Sequence, residues 1–280
     1  MPRTPHSIRI KSATAPRGFA PEAVAAALDE ALALPGPGPG ARVFGIAGLQ
    51  GSGKSTLAAQ VVALAGARGL RAAALSIDDG YLNPGERHRL ARDVHPLLAT
   101  RGPPGTHDLA LLCATLDAAR NGEAVRLPRF DKRRDRRLPP SRWRVAGPLD
   151  LLVFEGWCLK VPAEDDAALL APLNALERDE DPAGVWRRRC NAALGRAYPA
   201  LWARIDRLLW LQPPGFEVVA GWRLEQERTL HADRPDAGLS ATAVERFVQH
   251  FERVSRQALR CLPGVADRTW RLDGARRVLR

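Results

Sequence analysis

Gly48-Leu49-Gln50-Gly51-Ser52-Gly53-Lys54-Ser55 satisfies G-x-x-x-x-G-K-[ST] at every fixed position. In a chain with 24 glycines and only four lysines (11, 54, 132 and 160), chance would yield that pattern roughly 0.002 times. Glycines let the backbone curl until successive N–H groups point inward, and a helix N-terminus behind them adds partial positive charge. A loop of this kind cradles phosphates. Gly48, Gln50, Gly51, Ser52, Gly53 and Thr56 therefore read as the walls of a nucleoside triphosphate site, with Lys54 reaching the β/γ-phosphates and the Ser55 hydroxyl on Mg²⁺. The expected cofactors are ATP and Mg²⁺. The guanine-reading N-K-x-D is absent, because no Asn is followed by Lys, and nothing resembles a helicase or transporter signature. Phosphoryl transfer to a small molecule is the leading class.

Two acidic stretches can serve that chemistry. Ser76-Ile77-Asp78-Asp79-Gly80-Tyr81 and Phe154-Glu155-Gly156 each close an apolar run. In open α/β sheets, ligands lie beyond the carboxyl ends of the strands. A carboxylate there can take a proton from an attacking hydroxyl while the loop holds the γ-phosphoryl in line. Asp78 is the candidate for that proton, with an Asx turn as the alternative use of Asp78 or Asp79. Glu155 suits orienting the Mg²⁺ waters or the substrate, and a solvated turn acid is its plainer reading. Gly156 beside it permits close approach of a ligand.

These residues need elements to hold them. Arg42 to Ala47 reads as a buried strand ending at Gly48, and Leu57, Val61 and Leu64 open a helix after Gly53. Leu70 to Ile77, Leu149 to Phe154 and Arg207 to Leu211 are further buried strands. Strands separated by helical segments predict a mainly parallel sheet covered on both faces, a three-layer α/β/α P-loop fold. Residues 21–33 place Val24, Ala27, Leu28, Ala31 and Leu32 on one helical face, and Pro35 to Gly40 then breaks the chain. Residues 1–40 are thus expected to form an N-terminal helical extension and linker, and 41–280 the catalytic domain. Thr106 is expected to cap a helix with Leu109, Leu112 and Leu116. Thr242 with Glu245 is a capping-box signature before the stripe Val244, Phe247, Val248, Phe251 and Ala258. Arg223 and Glu227 share a face with Phe216, Val219, Ala220 and Leu230, either as a structural ion pair or as a wall of the nucleotide site.

Composition narrows the class further. At 280 residues and 45% apolar, the chain is long enough for a large buried core. No apolar stretch reaches the ~18 residues of a membrane helix, and the start lacks the apolar region of a secretory signal, though its Ser/Thr/Arg-bearing, acid-free run up to Glu22 leaves an organellar transit segment as the alternative. Cys113, Cys158, Cys190 and Cys261 form no CxxC pair and read as free thiols in a reducing cytoplasm. The net charge of +11 is mostly local: Arg126 to Arg144 holds nine basic residues and two acids, or +7. This segment reads as a lid over the phosphoryl group, with a solvated loop or a nucleic-acid patch as alternatives. The expected partner is a small-molecule substrate, with no nucleic acid and no membrane, and the oligomeric state is left open.

Several stretches carry a resemblance: GLQGSGKST (48–56), LSIDDGYL (75–82), HPLLATRGPPGTHDL (95–109), PRFDKRRDRR (128–137), LVFEGWC (152–158), WRLEQE (222–227) and HFERVSRQAL (250–259). In these the chain resembles the D-glycerate 3-kinase-like family of P-loop kinases, related to uridine, pantothenate and phosphoribulokinases. By position, the resemblance implies that Asp78 activates the acceptor hydroxyl and that Glu155 is the metal-side or acceptor-side acid. It places residues 128–137 in the segment that closes over substrate and phosphate, with Arg136, after Asp135, as its D-R arginine. Asp79, Tyr81, Arg129 and Lys132 fall in the same stretches and are expected on the acceptor. Glycerate presents a carboxylate, for which an Arg fork or a His is a natural partner, so Arg101 and His107 are expected contacts. A structural His107 bonding the loop backbone is the alternative. The implied reaction converts D-glycerate to 3-phosphoglycerate. Another hydroxylated acceptor (a nucleoside, pantothenate or a sugar acid) and a non-catalytic ATP-binding regulator remain the other readings.

Overall fold

The computed structural model describes residues 18–33, 40–230 and 240–279. Most of the Pro/Gly run at 35–40 and the first 17 residues lie outside them. Five strands form one parallel sheet: β1 (Arg42–Gly48), β2 (Ala72–Ser76), β7 (Leu151–Gly156), β8 (Arg207–Gln212) and β9 (Arg268–Arg271), in the spatial order β2-β7-β1-β8-β9. The three central strands are apolar along their middles because both of their faces are covered. Val43, Leu152, Phe154, Leu208 and Trp210 enter one core, while Phe44, Ile46, Leu151, Val153, Leu209 and Leu211 enter the other. This is the period of two expected of a strand between two layers. Each such large side chain contributes about 1.5–3 kcal/mol by leaving water.

The first core is closed by α4 (Leu109–Arg120), α7 (Tyr198–Trp202) and α9 (Ala241–Val265). The second is closed by α2 (Lys54–Ala67) and by α1 (Pro21–Leu32). Pro21 starts α1, and the predicted stripe is buried at Val24, Ala27, Leu28 and Ala31. The fold is thus the three-layer α/β/α arrangement with a parallel sheet. The basic segment forms a narrow ribbon instead: β3 (Val125–Leu127) pairs antiparallel with β6 (Arg144–Ala146), and β4 (Phe130–Asp131) with β5 (Arg136–Arg137). Among the described residues no helix is long and apolar enough to cross a membrane, and the four cysteines are free.

Four local expectations need correction. The strand drawn from Leu70 to Ile77 is shorter, because Ser76 caps a 3-10 turn over Ile77–Gly80 and ends it. Asp108, not Thr106, caps α4 by accepting from the Leu111 N–H at 3.0 Å. Thr106 is buried and turned into its own loop, donating to the Pro103 carbonyl and accepting from the Gly102 N–H. Ser240, not Thr242, caps α9, since its hydroxyl already accepts from Ala243. Phe216 is buried but precedes α8 (Val218–Leu230), so it is not on that helix's face.

Candidate active site

Three neighbouring strands, β2, β7 and β1, end on the same edge of the sheet, and each delivers one part of the site. Beyond β1 the phosphate-binding loop turns on two left-handed glycines, Gly51 (φ 78°) and Gly53 (φ 90°), and Gly53 caps α2. A Cβ at Gly51 would stand 2.5 Å from that of Trp222, and one at Gly48 would stand 2.4 Å from Ser52 Oγ. Only glycine fits either place. The Gly51 carbonyl accepts from Arg276 Nε at 2.6 Å, and Arg276 lies over the Trp222 ring. Trp222 Nε1 donates to the Gly274 carbonyl, so the C-terminal turn braces the loop from behind. Among the described residues, Gln50 keeps both amide atoms buried without a hydrogen-bond partner, as does Ser52 its hydroxyl. Thr56 follows at the exposed start of α2.

Glu155 lies level with Ile46 of β1 and Ser76 of β2. Its Oε1 accepts from Ser55 Oγ at 2.8 Å, and its Oε2 is 4.0 Å from Lys54 Nζ. That second oxygen is buried and makes no hydrogen bond among the described residues. A buried carboxylate oxygen without a donor, next to a serine hydroxyl and a lysine, fits a hydrated Mg²⁺ bound with triphosphate.

The turn after β2 separates two adjacent acids. Asp79 is buried, and its carboxylate accepts from the Phe130 N–H at 3.0 Å and the Ser76 N–H at 3.3 Å, fastening β4 to the sheet. Burial raises its pKa above the ordinary range. Asp78 instead faces the ribbon: Lys132 Nζ donates to its Oδ2 at 2.6 Å. Desolvation pushes the Asp78 pKa up, but Lys132 and Lys54, with a hydrogen bond from the Tyr81 hydroxyl, outweigh it and hold the carboxyl well below its usual range. Asp78 raises the Lys132 pKa in turn. The pair is an ionised carboxylate capped by an ammonium.

His107 comes beside Tyr81 through an isolated β-bridge, with ring centroids 5.0 Å apart. Its Nδ1 is 2.6 Å from the Tyr198 hydroxyl, while its Nε2 is buried without a partner among the described residues. Burial lowers the His107 pKa to about 4, against the opposing pull of Asp78. Arg101 is joined to Asp135, at the ribbon tip, at 2.5 Å, and its guanidinium lies 5.7 Å from the Phe130 ring centre. Asp135 also pairs with the buried Arg87, holding a left-handed backbone (φ 49°) to do so. No local spacing marks that clasp, whose partners lie 48 and 34 residues from Asp135 in the chain.

The chain matches no family profile. It is 33% identical over 220 residues to a Schizosaccharomyces pombe protein named "Uncharacterized kinase mug58", covering 75% of this chain and 78% of that one. It is 31% identical over 225 residues to the chloroplastic D-glycerate 3-kinase of Arabidopsis thaliana, covering 75% of this chain and about half (46%) of that one. The chain belongs to the D-glycerate 3-kinase-like family of P-loop kinases. A solved D-glycerate 3-kinase from Cryptococcus neoformans superposes on this kinase with a TM-score of 0.71 at 24% identity, over 92% of this chain and 95% of that one, which shows the shared fold.

In this kinase the structure joins Lys54 and Ser55 to Glu155, and Lys132 to Asp78, by direct contacts; the two sets are near enough for Lys54 to act on the Asp78 charge, with Tyr81 and His107 behind Asp78. It sets other expected residues farther out. Arg129 is exposed and 3.8 Å from Asp79, and Arg136 is exposed on β5. Arg137 points back, donating to Asp108 at 2.9 Å. Arg223 and Glu227 do form an ion pair along α8, and Arg223 stacks over Phe247. Trp157 is buried, edge-on to Phe251, so it is a packing residue beside Glu155.

Proposed function

We propose that this P-loop kinase transfers the γ-phosphoryl of ATP to a hydroxyl of a small hydroxy acid, with D-glycerate yielding 3-phosphoglycerate as the leading acceptor. The observation that carries the reading is the ionised Asp78, two strands from the phosphate loop, with Lys132, Tyr81 and His107 around it and Arg101 acting on Tyr81 from beyond. Such a rim suits an anionic, oxygen-rich acceptor. The named activity of the Arabidopsis relative supports glycerate among such acids.

Lys54 and the loop amides hold the phosphates, and the left-handed glycines aim the amides at them. Ser55 and Glu155 would hold Mg²⁺, which when bound draws charge from the terminal phosphates. Asp78 orients the attacking hydroxyl and accepts its proton at a carboxylate oxygen. For that, Lys132 moves off Asp78 onto the acceptor, and the carboxyl returns toward its ordinary basicity. Phosphoryl transfer passes through a loose transition state, so positioning and charge count for more than base strength. Arg129 and Arg136 approach the phosphoryl group as the ribbon over 126–144, the lid, folds down. Asp79 fixes the lid's inner strand and does not meet the acceptor. The segment before residue 41 stands as an extension to the catalytic domain 41–280, although α1 adds its apolar face to the second core. The free cysteines suit a reducing compartment such as the cytoplasm.

An ADP-release assay over D-glycerate, L-glycerate, nucleosides, pantothenate and sugar acids tests this, with the phosphorylated position read by NMR. Turnover of D-glycerate at the 3-hydroxyl is expected. Preference for a nucleoside or pantothenate would replace the acceptor, and ATP binding without turnover of any would leave a nucleotide-binding regulator.

A further inference from the structure

The chain has two tyrosines, and both touch His107. Tyr198 opens α7 and is fully buried. Its hydroxyl oxygen accepts from the Gly105 N–H at 3.0 Å and lies 2.6 Å from His107 Nδ1. Among the described residues the hydroxyl makes no further hydrogen bond. A phenol has one proton to give, and here His107 Nδ1 is the only taker. Were Nδ1 itself protonated, the Tyr198 proton would be stranded in the core, at the full cost of a buried unmade bond. Nδ1 must therefore be the bare nitrogen, and a neutral ring then carries its hydrogen on Nε2. That nitrogen is the buried one without a partner among the described residues, in a ring 6% exposed that lies tilted against Tyr81.

We infer that Tyr198 is a positioning residue: it locks His107 in its Nε2–H form, making the imidazole a fixed, uncharged donor to a carboxylate or hydroxyl oxygen of the bound acid. The inference rests on the acceptor reading above and deepens it. A ring held this way cannot accept from the acceptor, so an ammonium group in the contacted place is rejected. Burial supports it by keeping the ring neutral, with its pKa down at about 4.

Nitrogen NMR of the ¹⁵N-histidine-labelled full chain, free of ligands, tests the lock. The expected His107 signature is a pyridine-like Nδ1 and a pyrrole-like Nε2, unchanged down to a pH of about 6. Tyr198→Phe should give a mixture of tautomers and raise the acceptor KM about tenfold, with the ATP KM unchanged. A proton on Nδ1 in the unaltered protein overturns the inference. So does a Tyr198→Phe protein with unaltered tautomer and acceptor KM. Should that variant fail to fold, the spectrum of the unaltered chain still decides. His107→Gln, which keeps an N–H near the Nε2 place, should then hold the acceptor KM nearer its original value than His107→Leu; equal losses count against the donor role. If D-glycerate is not turned over, the ligand-free tautomer is still measured, so the two readings fail separately.

Discussion

Asp78 sits between opposed effects, burial pushing its proton on and two lysines pulling it off, and the lysines win. Asp78→Asn keeps the shape and removes the basic oxygen, so kcat should fall ~10²–10⁴-fold while nucleotide binding, read by calorimetry, is retained. Near-normal turnover would remove Asp78 from the mechanism. His107 gives a pH prediction with the opposite residue type. Burial takes its pKa from 6.5 to about 4, so between those values the unfolded chain binds a proton that the folded chain refuses. Stability therefore rises with pH through that window, is complete above about 6.5, and is lost as pH falls toward 4. His107→Gln should flatten that part of a denaturation-against-pH curve. At this scale the sequence was readable where the neighbouring residues mark a position: the glycine pattern over 48–55, and Asp78 and Glu155 at the close of apolar runs. Tyr198 was not, because it meets His107 across 91 residues and no local spacing marks it. The same holds for Asp135, whose partners Arg87 and Arg101 lie 48 and 34 residues earlier.

The ribbon is the element whose behaviour the structure makes testable. Its tip is tied by Asp135 to Arg87 and Arg101, and its inner strand by Asp79 to Phe130. Arg87 is buried on α3 (Pro84–Asp93), so Asp135→Ala leaves a guanidinium without its carboxylate. Because Asp135 is 40% exposed, water softens the loss, and about 1–3 kcal/mol in urea denaturation is expected, with a raised acceptor KM. An unchanged midpoint would show that the clasp does not hold the ribbon. The central strands were legible as apolar runs, since both faces need apolar residues. Strand β9 was not, for Arg268 and Arg271 are exposed at a sheet edge and hide its pattern. Two helix caps were misplaced by two residues where two capping residues stood close together, at Thr106 and Asp108 and at Ser240 and Thr242.

For the whole molecule, the charge of +11 is a poor guide to partners. Much of the ribbon's share already has carboxylates to meet: Lys132 with Asp78, Arg137 with Asp108, Arg134 with Asp131. Any retention on DNA should thus show a shallow dependence on salt, and a steep one would mean many phosphates contacted. The layer order was readable because alternating strands and helices admit few packings. How the far end of the chain meets the phosphate loop was not. Arg276 holds a carbonyl 225 residues upstream, so Arg276→Ala should weaken ATP several-fold in equilibrium binding, with acceptor KM little changed. A polypeptide emerging from the ribosome has its eight-residue cradle long before it has that clamp. Nucleotide affinity should accordingly ripen only once residue 276 has emerged, after the sheet that presents the loop is whole.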